Sequence, residues 1–281
     1  MKEPIFILAN PRSGSSVFRL ILNSTEKSIF PPECGFIQWL YPKYGHWNFD
    51  NFTHSAFVGP FTEDVLTSKK MGGWGLSFQR LYDFLEKENP NSYGEACALV
   101  YKFYGMKMGK DAEIWGDKNN YYIHHLDTIS EIYPNAKYIW LKRNPKDVCA
   151  SYLKVNELPN DLEFKPQMPV YVDYIFDEIK ENYTKIEDFL TNVDKYNKYV
   201  VNFEDILSKD ESILDEISQF VGIDMVEAMN NFDKKLYFDE PNETMAWKGK
   251  TKEVLDTSYI NTYKSHPKAA EIESYYNKIE W

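Results

Sequence analysis

Three short runs, Ile5–Ala9, Lys137–Leu141 and Lys198–Phe203, are rich in apolar and β-branched or aromatic residues. In the stretch after each, apolar positions recur with helical spacing. Strand-like runs of this kind, each with a helix behind it, imply a parallel sheet covered on both faces. The expected architecture is α/β, three layers deep in the order α/β/α. No Gly/Ser-rich or Pro-rich linker divides the units, and no internal repeat is visible. A chain of 281 residues with 43% hydrophobic content can bury one large core, so residues 1–281 are read as a single domain. Gln38–Gly75, which includes WLYPKYGHWNF, breaks the pattern, being crowded with aromatic residues, His, Gly and Pro. It reads as loops that either line a pocket or pack on the core. Asn156–Pro169 carries three prolines and reads as a second loop over a cleft, ahead of a helix from about Val170 to Asn192. Segments 36–110 and 156–195 are thus expected to supply pocket and lid elements.

Two of the strand-to-helix junctions carry chemistry. In IFILANPRSGSSVFRLILN the loop Pro11-Arg12-Ser13-Gly14-Ser15-Ser16 lies between the first strand and a helix. Backbone N–H groups of such a loop converge with the helix N-terminus on one point, and Ser13, Ser15 and Ser16 add hydroxyls. A phosphate-like anion should bind there. The nucleoside-triphosphate P-loop differs, since it needs a Lys directly after its last Gly, where this chain has Ser15. In KYIWLKRNPKDVCASYLK, Asn144 can cap a helix, Pro145 suits its first position and Asp147 its first turn. Lys142 and Arg143 then stand at the strand's carboxyl end, where open α/β sheets bind ligands.

With these segments the chain resembles the sulfotransferases that use 3′-phosphoadenosine 5′-phosphosulfate (PAPS), a family with a P-loop nucleoside-triphosphate-hydrolase-like fold. The resemblance implies that the first loop grips the 5′-phosphosulfate. It also implies that Arg143, with Ser151 eight residues later, grips the 3′-phosphate. IWGDKNN is similar to a segment of the bacterial and tyrosylprotein-type members, which makes Lys118 the catalytic lysine, with Arg12 beside it. KYVVNFEDIL is similar to the family's late strand, with Phe203 in place of the usual Tyr. Lys248 and Gly249 match, loosely, the loop that closes on the 3′-phosphate. Animal cytosolic members carry a His two residues after the catalytic Lys, but here that residue is Asn120. The tyrosylprotein pattern instead has a Glu about twenty residues past the loop, and Glu33, 21 residues beyond Arg12, fits it. Glu33 is therefore the expected general base, with His46 or His54 as the fallback. Its carboxyl, in a partly dry cleft near an anionic donor, is expected to have a raised pKa.

The implied reaction moves a sulfuryl group from PAPS to an acceptor hydroxyl or amine, by in-line displacement and without a metal. The product is adenosine 3′,5′-bisphosphate. His124 and His125 are adjacent, and the three cysteines form no C-x-x-C, so no metal cluster is expected. Two rival readings are a small-molecule kinase of P-loop type and a non-catalytic nucleotide-binding relative.

Charge narrows the partners. Lys and Arg number 32 against 43 Asp and Glu, for a net −11, which disfavours nucleic acid and anionic membranes. A donor anion needs only the local cluster Arg12, Lys118, Lys142 and Arg143. Small-molecule, glycan or lipid acceptors suit the balance, and a homodimer is compatible with it. The apolar run at the start ends at Asn10 and belongs to the loop, so it does not read as a signal peptide. No run of about 20 apolar residues offers a membrane span. Widely spaced Cys34, Cys97 and Cys149 suggest a reducing compartment, and the expected location is cytoplasmic.

Overall fold

A computed structural model of the protein describes residues 2–47, 55–234 and 256–281. Five strands, β1 Ile5–Leu8, β2 Ser28–Ile29, β3 Ile114–Asp117, β4 Lys137–Lys142 and β5 Lys198–Asn202, form one parallel sheet. Their order is β2-β3-β1-β4-β5, with β1 at the centre. Side-chain alternation divides the core between the two faces. Phe6, Leu8, Tyr138 and Trp140 enter one cluster, while Ile5, Ile7, Ile139 and Leu141 enter the other. Helices complete the layers. Four cover the first face, α5 Tyr93–Lys107, α6 Leu126–Ile132, α7 Pro145–Asn156 and α8 Val172–Thr191. The second face is covered by α1 Ser15–Leu22, α9 Phe203–Ser208, α10 Glu211–Val221 and α11 Met225–Asp233. This is the three-layer α/β/α fold expected for a sulfotransferase.

Contact between β1 and β3 depends on Gly116, because a Cβ there would stand 2.2 Å from the Ile5 carbonyl oxygen. Crowding at that point therefore selects the smallest residue directly before Asp117 and Lys118.

Gln38–Gly75 is more helical than its sequence suggests. It holds most of α2 Phe36–Tyr44, all of α3 Ser55–Thr67 and a short turn, Met71–Trp74. Pro42 and Pro60 lie inside those helices. Its aromatic residues Tyr44, Trp47, Phe61 and Trp74 are buried, and they pack with Tyr93 and Tyr101 as part of the first core cluster. Helix α4 Phe78–Glu88 joins this layer through Leu81 and Leu85. Among the described residues no helix is long and apolar enough to cross a membrane.

Candidate functional site

At the carboxyl ends of β1, β3 and β4 lies a cleft of about 870 Å³. The loop after β1 forms its floor. There the chain turns through two left-handed residues, Arg12 (φ 68°) and Gly14 (φ 88°). A Cβ on Gly14 would come within 2.5 Å of the Phe203 ring, so both conformation and space require glycine. Helix α1 then starts at Ser15 with no side chain capping it. Ser15 and Ser16 line the cleft, so the partly positive helix N-terminus faces into it. The Ser15 hydroxyl donates to Asn120 Oδ1 (3.2 Å), and the Arg12 guanidinium donates from Nε to Ser151 Oγ (3.0 Å).

Arg143 stands beside this loop, directly after β4. Its Nη1 donates to the Arg12 carbonyl (3.2 Å) and its Nη2 to the Tyr259 carbonyl (3.0 Å), and its guanidinium lies 5.4 Å from the Phe203 ring. Burial, followed by repulsion from Arg143, lowers the Arg12 pKa to about 10. Burial also lowers Arg143, against the pull of Asp147 and Glu204. Two guanidinium groups held this close at an open helix N-terminus make a site for a multiply charged anion.

At the other end of the cleft stands Glu33, on a segment pinned from both sides. Arg19, fully buried in α1, donates to the Phe30 carbonyl (2.7 Å), and Trp74 Nε1 donates to the Pro32 carbonyl (3.0 Å). Lys118, directly after β3 and only 2% exposed, puts its Nζ 2.5 Å from Glu33 Oε2. Lys70 reaches Oε1 at 2.7 Å. Burial by itself would raise the Glu33 carboxyl, but Lys118 and then Lys70 outweigh it and hold the group well below the ordinary carboxylate range. This corrects the expectation of a raised value. The same contacts act on Lys118, whose pKa is lowered by burial in spite of Glu33.

The cleft brings together Pro11, Arg12, Gly14, Ser15, Ser16, Glu33, Lys118 and Arg143. Ser13 is buried inward and lines no wall, so of the three loop serines Ser15 and Ser16 are the ones that line the cleft. Ser151 connects to the site through Arg12. Lys142 leaves the expected cation cluster. Strand alternation carries its Nζ to the opposite face, over the rings of Trp140 (4.3 Å) and Tyr183 (5.4 Å). Lys248, Gly249 and His54 lie outside the described residues, and His46 is exposed away from the cleft walls.

Several wall residues were not anticipated. Lys70 is the one contributor from segment 36–110 among the described residues, while Phe164, Met168, Glu178 and Asn182 come from 156–195. Tyr259 joins from the chain near its end. Asp147, read from sequence as a helix-dipole residue, instead fastens that distant segment. Its Oδ2 accepts from Asn261 N (2.9 Å), and its Oδ1 accepts from Thr262 Oγ1 (3.1 Å) and Tyr263 N (3.0 Å). Strand alternation could have excluded Lys142, but no local signal marks Lys70 or the reach of Asp147.

Comparison with known proteins follows the same lines. The model of the Sulfotransferase family matches residues 4–227. Among solved structures, the chain is similar to the sulfotransferase domain from the curacin biosynthetic pathway. That similarity is 17% identity over 99% of this chain and 98% of that one, with a TM-score of 0.59. It is also similar to the sulfotransferase domain of the Synechococcus PCC 7002 olefin synthase, at 20% identity over 100% and 97% and a TM-score of 0.59. At these identities the structural likeness speaks for the fold. No curated protein matches the chain.

Proposed function

The chain belongs to the sulfotransferase family, and from that premise we propose that it transfers a sulfuryl group from PAPS to an acceptor hydroxyl or amine, with Glu33 as general base. The observation that carries the donor assignment is the pairing of Arg12 and Arg143 at the open N-terminus of α1, where burial and mutual repulsion depress Arg12. The attraction of a bound polyanion would offset both effects. PAPS, when bound, supplies a sulfuryl group already activated by its link to the 5′-phosphate.

The chain's residues divide the remaining work. The first-turn amides of α1 and the hydroxyls of Ser15 and Ser16 would hold the 5′-phosphate. Arg143 and the Ser151 hydroxyl suit the 3′-phosphate, with Lys248 and Gly249 proposed to close over it. Arg12 and Lys118 would balance the charge that develops on the bridging oxygen, a stabilisation that grows with exclusion of water. Glu33 would accept the proton of the attacking group. No residue in this scheme calls for a metal. Both core layers share one sheet, which supports reading residues 1–281 as one domain. Three buried free cysteines fit a reducing, cytoplasmic setting.

A thermal-shift titration tests the donor class, because a ligand of the native state raises the melting temperature. Adenosine 3′,5′-bisphosphate should stabilise the protein without magnesium. Stabilisation by magnesium-ATP alone would replace this reading with a kinase.

A further inference from the structure

Both oxygens of Glu33 are occupied, Oε2 by Lys118 and Oε1 by Lys70. A base must offer a lone pair to the hydroxyl it deprotonates, and here an ammonium group stands on each oxygen. The two lysines differ in how they are held. Lys118 is buried behind β3, and its own backbone N–H donates to Asp117 Oδ1 (2.7 Å). Lys70 follows α3 in a turn, with its side chain 19% exposed and its Nζ 5.7 Å from the ring of Phe164. Both Lys70 (φ 71°) and Phe164 (φ 57°) are left-handed, a conformation costly for side chains of this size. Two separate loops thus hold strained backbone where the Lys70 ammonium, paired with Glu33, comes beside the Phe164 ring.

Building on the sulfotransferase reading, we propose that Lys70 is a positioning residue that holds Glu33 Oε1 until the acceptor hydroxyl takes its place, so that the base does not activate water. The reaction held back is donor hydrolysis. In it a water oxygen bonds to sulfur and the water proton passes to Glu33. The bridging S–O bond breaks, its electron pair leaving on adenosine bisphosphate. Lys70 opposes the proton transfer, since a carboxylate in two ion pairs is a weak base. Lys118, Lys70, Arg19 and Asp117 are the charged groups acting on Glu33. Of these, Lys70 lines the cleft together with Phe164 and Met168 of the 156–195 segment, with its Nζ 5.7 Å from the Phe164 ring.

The test compares Lys70→Met with Lys70→Arg. In ligand-free protein, ¹³C-carboxyl NMR, assigned with Glu33→Gln, should show the Glu33 midpoint rising in Lys70→Met and staying low in Lys70→Arg. With PAPS and no acceptor, the rate of sulfate release should rise about tenfold or more in Lys70→Met, a part of the about 10²–10⁴-fold that general-base catalysis confers. Adding Glu33→Gln should abolish that rise. An unmoved midpoint, or an unchanged or lower rate of sulfate release, overturns the proposal. Bisphosphate should stabilise wild type and Lys70→Met alike. If it stabilises neither, the donor assignment falls, a result separate from the carboxyl titration.

Discussion

At the loop end of the cleft, Arg12, Ser15, Ser16 and Arg143 follow directly from the ends of β1 and β4, and their positions are set by the sheet. At the Glu33 end, Lys70 and Phe164 hang on loops, each at a left-handed residue, and Lys70 meets Glu33 with the Phe164 ring beside its ammonium group. In the proposed reading the loop end would cradle an anion, with side chains already held in place by Ser151 and by the Arg12 and Tyr259 carbonyls. The Glu33 end is a set of ion pairs, in which each carboxylate oxygen already accepts from an ammonium group. Binding and reaction are therefore open to separate perturbation, and substitutions at the two ends should leave different signatures.

The largest effect is expected at Glu33. Glu33→Gln keeps the side-chain shape and removes the proton acceptor, so transfer should fall about 10²–10⁴-fold. Bisphosphate stabilisation should persist, since Glu33 contacts no part of the Arg12–Arg143 cradle. Full turnover in this variant would remove Glu33 as the base. Arg143→Ala attacks the opposite end. It deletes the donors now engaged with the carbonyls of Arg12 and Tyr259. Bisphosphate affinity should drop about 10- to 100-fold, the scale of one lost charge-assisted contact. Isothermal titration would show it, and an unchanged affinity would place the anion elsewhere in the cleft.

How much of this was legible in the sequence follows the same division. Three of the five strands, β1, β4 and β5, the loop after β1 and the Arg143 junction are local patterns, and each appears within a few residues of its predicted place, whereas β2 and β3 did not read as strands. Asn144 caps α7 by accepting from Lys146 N, and Gly222 ends α10 in the left-handed conformation, as their residue types imply. Gln38–Gly75 was misleading for a local reason. Pro42 and Pro60 signal breaks, yet tertiary packing of Tyr44, Trp47 and Phe61 holds helices around them. The Glu33–Lys70 pair spans 37 residues and depends on a turn whose φ no lysine announces. Lys142 and Arg143 look equivalent in sequence, but one strand position sends their side chains to opposite faces.

Gly14 tests the rigidity of the cradle more gently. Gly14→Ala must hold φ at 88° and force the Phe203 ring aside, at a cost of about 1–3 kcal/mol for the backbone alone. Chemical denaturation should show the loss, and bisphosphate should recover part of the melting temperature. Wild-type stability in this variant would mean that the loop has room it does not show.

The smallest expected effect concerns the segment behind Arg143, and it asks whether the cradle is rigid through the sheet alone. Asp147 is fully buried and accepts three hydrogen bonds from residues 261–263, two to four positions along the chain from Tyr259, whose carbonyl accepts from Arg143. Asp147→Asn preserves the volume and the oxygen that receives Thr262 and Tyr263. Where Oδ2 accepted from Asn261 it places an amide donor, so two donors face each other and the Asn261 N–H is left unpaired. An unsatisfied buried donor costs about 1–3 kcal/mol, so the segment should loosen locally and exchange its amide hydrogens faster at 259–263. Bisphosphate affinity should fall only a few-fold, because the guanidinium keeps its contact with the Arg12 carbonyl. Faster exchange with affinity unchanged would show that the sheet positions Arg143 unaided. A loss as large as that of Arg143→Ala would make this distant segment an equal partner in holding it.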